Sequence, residues 1–146
     1  MVLSLFQRLA APAAALALLL VPSLAQACRC LPFESTLNAY EEADRVFSGE
    51  VLEVASPEAD HFYVRVVLDE RRAWKGGDAD GEVVILTTSS PAACGVTFRH
   101  GVIYLIFAYD EGEYLTTNTC SGTVPLADGL KEAKDLDEIV AGQGTN

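Results

Sequence analysis

Basic side chains are scarce in this chain of 146 residues. Lysine and arginine together number 10, against 21 aspartates and glutamates, which gives a net charge of −11 at pH 7. A protein that binds nucleic acid needs a basic face, and electrostatic attachment to anionic lipid needs clustered Lys or Arg. The composition therefore argues against a nucleic-acid partner and against an anionic membrane surface.

Histidine and methionine are almost absent. The only histidines are His61 and His100, and the only methionine is Met1. The sequence contains no zinc-binding pair of histidines, no placeable Ser/His/Asp arrangement and no phosphate-binding loop. We therefore predict a protein that is not an enzyme and that carries no cofactor.

The first 27 residues are typical of an export signal. Arg8 precedes an apolar run over residues 10–24, and Ala25 and Ala27 form a small-residue cleavage site. The run is short for a membrane span, so we expect cleavage rather than anchoring. The prediction is a secreted or periplasmic protein, free of the membrane once the signal is removed, with one domain over residues 28–146.

Cleavage after Ala27 would leave Cys28 as the first residue. A cysteine directly after a signal is also the acceptor of a lipid in lipoproteins. The residues that precede it fit that processing poorly, because leucine is not three positions before Cys28 and Gln26 is present. A free amino-terminal cysteine is therefore the favoured interpretation, and lipidation is the alternative.

Four cysteines, all after the predicted signal, indicate disulfide bonds in an exported chain. A bridge between Cys28 and Cys30 would form a strained small ring, so two pairings remain, and each ties this pair to both Cys94 and Cys120. Each bridge would stabilise the fold by about 4 kcal/mol. The Cys-x-Cys pair could instead bind Cu(I), but an oxidising compartment favours disulfides.

Alternating apolar residues predict a mainly β domain with two helices. A short helix is expected after a cap at Ser35 or Thr36, with Leu37, Tyr40 and Ala43 on its inner face. Gly49 predicts a bulge or sharp bend in the first strand. The predicted strands cover residues 45–55, 61–74, 82–88, 102–108 and 113–118, and a closing helix covers residues 129–140.

Five antiparallel strands of this size favour a small closed or partly open barrel of the oligonucleotide/oligosaccharide-binding (OB) type. A β-sandwich is the alternative. We also expect the protein to be a monomer.

Several short motifs occur in an order that resembles a known family, the tissue inhibitors of metalloproteinases. The resemblance is to their N-terminal, netrin-like domain and runs over nearly all of residues 28–140. Its motifs are the signal followed by Cys28-Arg29-Cys30-Leu31-Pro32, then residues 43–51, Ala73-Trp74-Lys75-Gly76, Ala93-Cys94-Gly95, residues 104–107 and residues 119–125.

This resemblance implies bridges Cys28–Cys94 and Cys30–Cys120 and a barrel with its first residues held against the outside. It also implies that the amine and the carbonyl of Cys28 chelate the catalytic zinc of a target metalloprotease. The implied inhibitory contact comprises Cys28, Arg29, Cys30, Leu31, Pro32, Ala92, Ala93, Cys94 and Gly95.

The chain departs from the family pattern at two positions. Arg29 stands where the family usually has a small hydroxyl residue, and Tyr40 or a neighbour stands where the family has a cysteine of a third bridge. The alternative function is therefore a netrin-like extracellular interaction module that inhibits no protease.

Overall fold

A computed structural model describes residues 28–56, 62–77 and 81–144 of the chain. Residues 1–27, 57–61, 78–80 and 145–146 lie outside these ranges, and with them the predicted export signal and His61. None of the helices within them combines the length and the apolar character that a membrane span requires.

The described residues form six strands and two α-helices. The order is α1 (Thr36–Glu42), β1 (Arg45–Ala55), β2 (Tyr63–Lys75), β3 (Glu82–Thr88), a 3₁₀ turn (Pro91–Ala93), β4 (Ile103–Asp110), β5 (Leu115–Thr116), β6 (Val124–Pro125) and α2 (Leu130–Gln143). The predicted mainly β fold with a short first helix and a closing helix is confirmed.

Five of the strands close into a barrel. Strand β1 pairs with both β2 and β4, β2 pairs with β3, and β5 bridges β3 and β4. The junction of β3 with β5 is parallel and joins only Ile85 to Leu115 and Leu86 to Thr116. The remaining strand, β6, pairs with β4 outside this ring.

Strand β1 bends and thereby pairs with two neighbouring strands, β2 and β4. Its pairing with β2 shifts register at three places, one of them between Ser48 and Gly49. A Cβ added at Gly49 would lie 3.2 Å from the Cβ of Leu68 and from the carbonyl oxygen of Asp69. The bulge predicted at Gly49 is confirmed, and glycine permits the close approach of β1 to β2 there.

The apolar side chains form two cores, one on each side of the bent sheet. The inner core fills the barrel and includes Phe47, Leu68, Ile85 and Ile106. The outer core lies between the barrel and the helices and includes Tyr40, Trp74, Phe107 and Leu136. Strand β4 therefore contributes to both cores, which explains why its sequence is almost continuously apolar.

Helix α1 packs with a different face from the predicted one. Ser35 caps it, since its hydroxyl accepts a hydrogen bond from the Asn38 amide. Ala39 is buried whereas Leu37 is 44% exposed, so the prediction for Leu37 was wrong. At the other end, Lys75 Nζ donates to the carbonyl oxygens of Tyr40, Glu41 and Ala43 and so binds this helix to β2.

Helix α2 covers the outer core as predicted, chiefly through Leu136, which is fully buried. The indole nitrogen of Trp74 donates to the carboxylate of Asp137 at 2.7 Å. Leu130, at the start of the helix, is 64% exposed.

Candidate functional site

Two disulfides join the beginning of the described chain to the barrel. Cys28 is bonded to Cys94, and Cys30 is bonded to Cys120. This is the pairing that the family resemblance implied and one of the two that the sequence left open. Cys94 follows β3 and Cys120 follows β5, so Cys28-Arg29-Cys30 spans the parallel junction that closes the barrel.

Hydrogen bonds hold together the two parts of the barrel to which Cys28 and Cys30 are attached. The Thr119 amide donates to the carbonyl oxygen of Cys94 at 2.8 Å, and the Thr117 amide donates to that of Leu86 at 3.0 Å. The Thr119 hydroxyl lies 3.5 Å from the sulfur of Cys28. The segment after β5 thus continues the contact with β3 and brings the loops that carry Cys94 and Cys120 together.

The four sulfur atoms lie in one cluster. The Cys120 sulfur is 3.8 Å from the Cys28 sulfur and 3.9 Å from the Cys94 sulfur, across the two bridges. The sulfurs of Cys28, Cys30 and Cys120 all lie within 4.8 Å of one another. The bridges are therefore in mutual contact rather than at separate points of the barrel.

The residues around Cys28 are open to solvent. Arg29, Cys30 and Pro32 are exposed, and Leu31 is 90% exposed. A large apolar side chain held outward beside two disulfides is available to a partner. The structure therefore brings four of the predicted contact residues together on one exposed segment.

The loop that carries Cys94 contributes the second part of the predicted contact. Its 3₁₀ turn is capped by Ser90, whose hydroxyl accepts a hydrogen bond from the Ala92 amide. Ala92 and Ala93 are exposed, and Cys94 is partly exposed in the left-handed conformation, with φ 63°.

Gly95 is buried, although it was predicted as a contact residue. A Cβ at this position would lie 1.9 Å from the carbonyl oxygen of Thr88. Gly95 therefore allows the loop to pack against the end of β3, and it offers no surface to a partner.

A groove of about 540 Å³ lies beside the exposed segment. Its lining residues are Leu31, Pro32, Phe33, Glu34, Asn38, Glu42, Tyr109, Asn118 and Cys120. Burial raises the pKa of the Tyr109 phenol, and the carboxylates of Glu42 and Asp44 raise it further. The groove is thus lined both by apolar side chains, such as Leu31 and Phe33, and by the carboxylates of Glu34 and Glu42.

Sequence reasoning did not single out Asn118, Thr119 or Tyr109 as site residues. Asn118 and Thr119 directly precede Cys120, which was the available signal for them. Tyr109 lines the groove because the end of β4 pairs with the start of β1, directly after α1, and no local pattern indicates this.

No other group of metal-binding side chains comes together within the described ranges. The one cluster of His, Cys, Asp or Glu with suitable spacing there comprises Cys28, Cys30 and Cys120, whose sulfurs are consumed by the two bridges.

Comparison of the chain with protein-family models and with curated proteins gives no match.

Proposed function

We propose that this protein is an exported inhibitor of zinc metalloproteases that binds the catalytic zinc through the amine and the carbonyl of Cys28. The observation that carries the proposal is the covalent attachment of Cys28 to the barrel within an exposed segment. The protein is a binding protein in this proposal and performs no catalysis itself.

The chemistry requires that Cys28 be the first residue. A catalytic zinc keeps one coordination position for water. An α-amino group has a pKa of about 8, so it loses its proton to a metal near neutral pH far more readily than a lysine does. The amine and the carbonyl of one residue close a five-membered chelate ring on the ion, which displaces the water that the protease activates.

The two bridges supply preorganisation. They fix Cys28 and Cys30 to loops that hydrogen bonds already hold together at Thr119 and Cys94. A segment held in its bound conformation loses little entropy on binding, so more of the contact energy contributes to affinity.

The other proposed contacts with the protease are assigned to residues near Cys28 that are exposed. Arg29 would enter the pocket of the protease next to the zinc, while Leu31, Pro32, Ala92 and Ala93 would contact its rim. A cation is costly in an apolar pocket without a partner. The proposed target is therefore a protease that presents an acidic group in this pocket.

An interaction module that inhibits no protease is the second candidate. The observations that favour it are the exposed cation of Arg29 and the 90% exposure of Leu31, which suit a partner surface that contains no zinc. The two candidates differ at the amino terminus, because inhibition requires a free amine on Cys28 and an interaction module does not.

The experiment compares two oxidised proteins against a panel of zinc endopeptidases. One begins at Cys28, and its matched control has one additional alanine before Cys28. Intact mass establishes that both carry two bridges, and the mass of the naturally exported protein shows where the signal is cleaved and whether Cys28 carries lipid.

Inhibition by the first protein and its loss in the second is the expected result. Equal inhibition by both would reject chelation by the terminus. If neither inhibits while both are folded by circular dichroism, the interaction module becomes the better description.

A further inference from the structure

Two of the distances between sulfurs of different bridges match those of a metal site. Cys120 Sγ lies 3.8 Å from Cys28 Sγ and 3.9 Å from Cys94 Sγ, although neither pair is bonded. In a tetrahedral zinc site, Zn–S bonds of about 2.3 Å place neighbouring sulfurs about 3.8 Å apart. The two distances from Cys120 to the other bridge are therefore already those of a zinc tetrathiolate. Cys28, Cys30 and Cys120 lie within 4.8 Å of one another, whereas Cys94 stands outside this group because its sulfur is farther from that of Cys30.

We propose that, when both bridges are reduced, Cys28, Cys30, Cys94 and Cys120 bind one Zn²⁺ ion. A soluble dithiol or phosphine is the reductant. Each bridge accepts two electrons and two protons, so its S–S bond breaks and two thiols form. Zinc binding then releases the thiol protons, and four Zn–S bonds form. The proposal is independent of protease inhibition.

Two changes in geometry are needed. The sulfurs of each bonded pair must separate to the spacing that Cys120 already has from Cys28 and Cys94, and the sulfurs of Cys30 and Cys94 must approach each other. The Cα atoms of the bonded pairs are 5.2 Å and 4.9 Å apart. Rotation of the side chains and a small outward shift of the exposed segment at Cys30 and Leu31 supply the remaining separation.

The surroundings favour such a site. Cys30 is exposed and Cys28 and Cys120 are partly exposed, so reductant and metal have access to the cluster. The Thr119 hydroxyl, 3.5 Å from the Cys28 sulfur, is placed to donate a hydrogen bond to a thiolate. Hydrogen bonds from outside the ligand shell orient thiolates and tune their affinity for the metal.

The barrel loops also hold two ligands in place without the bridges. Cys94 and Cys120 stay close because the Thr119 amide donates to the Cys94 carbonyl oxygen and β5 pairs with β3. The metal then brings the Cys-x-Cys pair to ligands that are already adjacent, which lowers the ordering cost of binding.

The test titrates Co²⁺ into the purified protein under argon, before and after reduction with a phosphine. Cobalt replaces zinc as a probe because its tetrahedral thiolate complexes have intense visible bands and near-ultraviolet charge-transfer bands. The reduced protein is expected to bind one Co²⁺ per chain with this spectrum and to release it on addition of Zn²⁺. The oxidised protein should give only the weak spectrum of hydrated cobalt.

Two reduced variants show which sulfurs bind. Cys94→Ser and Cys30→Ser each remove one ligand, from the barrel and from the exposed segment respectively, and each should weaken cobalt binding at least tenfold and alter the charge-transfer bands. The matched control is the reduced protein after alkylation with iodoacetamide, which should not bind.

Circular dichroism follows the fold in the same titration. If reduction loosens the barrel, zinc should restore its spectrum, since the metal replaces the links that the bridges made. A reduced protein that gives no tetrahedral cobalt spectrum, or whose single variants bind as tightly as the parent, would overturn the proposal.

Discussion

Arg45 and Glu70 form an ion pair between β1 and β2, with the Glu70 side chain only 1% exposed and the Arg45 side chain 23% exposed. The guanidinium of Arg45 also lies over the ring of Phe47, 5.3 Å from its centroid. The pair thus joins the first residue of β1 to β2, and Gly77 lies close beside it, since a Cβ added there would be 2.7 Å from the Arg45 guanidinium.

Removal of Arg45 should destabilise the barrel strongly. Arg45→Ala leaves the Glu70 carboxylate buried without its cation, which costs about 3–5 kcal/mol in proteins. Urea denaturation followed by circular dichroism measures the loss. Arg65→Ala is the matched control, because the pair of Arg65 with Glu53 is exposed on both sides and should contribute less than about 1 kcal/mol. Equal effects of the two variants would contradict the burial of Glu70 in its pair with Arg45.

Gly95 should tolerate no side chain. The methyl group of Gly95→Ala would overlap the carbonyl oxygen of Thr88, so we expect a loss of at least about 2 kcal/mol in the free energy of unfolding. Mass spectrometry should also show incomplete formation of the bridge between Cys28 and Cys94. Gly142→Ala is the control. A Cβ added at Gly142, within helix α2, would meet no atom within 4 Å, so alanine should raise the free energy of unfolding by up to about 1 kcal/mol.

The closing helix should contribute to stability through one side chain above all. Leu136 is fully buried in the outer core, so Leu136→Ala should cost about 2–5 kcal/mol. Leu130→Ala changes the same residue type in the same helix at a site that is 64% exposed. Its expected effect is below about 0.5 kcal/mol. Thermal denaturation of both variants distinguishes them, and similar losses would show that the helix packs on another face.

Asp135 should make stability depend on acid pH. A hydrogen bond from Lys131 lowers the pKa of Asp135 below its ordinary value, and a second one from the Thr36 hydroxyl at 2.9 Å lowers it further. A lowered folded-state pKa stabilises above the unfolded-state value, and the contribution disappears as pH falls through the folded-state value.

Asp135→Asn should therefore have a lower thermal midpoint than the parent at neutral pH and the same midpoint below the folded-state pKa. Midpoints measured from about pH 2 to pH 7 test the convergence. Glu138→Gln is the comparison, since its partner Lys134 lies 3.8 Å away and both side chains are exposed. A constant difference for Asp135→Asn over the whole range would exclude its titration as the cause.

Arg29 should determine which proteases the proposed inhibitor accepts. Arg29→Thr removes a cation from the segment that would enter the protease pocket, so inhibition of enzymes with apolar pockets should strengthen at least about tenfold, or 1.4 kcal/mol. Enzymes with an acid in this pocket should be inhibited more weakly. Lys134→Thr removes the same charge from an exposed position of helix α2 and should change the inhibition of neither class of enzyme. Unchanged inhibition by Arg29→Thr would place this side chain outside the pocket.

Strands β1 and β3 have the bounds that the sequence predicted, because alternation and clear turn residues mark both ends. Strand β5 is shorter than the predicted 113–118, because it follows a bend at residues 112–114 and pairs with β3 and β4 only at Leu115 and Thr116. Strand β6 was not predicted. It contains two residues, one of them Pro125, and only its position beside β4 makes it a strand.

The error at Leu37 has a similar origin. Leu37 lies three positions before Tyr40, and Ala39 lies four positions before Ala43, so local pattern supports either residue on the inner face. The structure packs Ala39 into the outer core with Tyr40 and Ala43. At the site, the residues alone left two pairings of cysteines, and the contact between the two bridges depends on the parallel junction of β3 with β5.

The two bridges also make a covalent macrocycle. It runs from Cys94 along the chain to Cys120, across to Cys30, and back through Arg29 and Cys28 to Cys94, so strand β4 belongs to the ring. Once Cys28 and Cys94 are joined, the second bridge closes a ring of about 30 residues rather than the full separation of 90 between Cys30 and Cys120, which reduces its entropic contribution by about 1 kcal/mol. The bridges are consequently not additive, and a chain that has lost either one keeps a larger share of its stability than two independent crosslinks would imply.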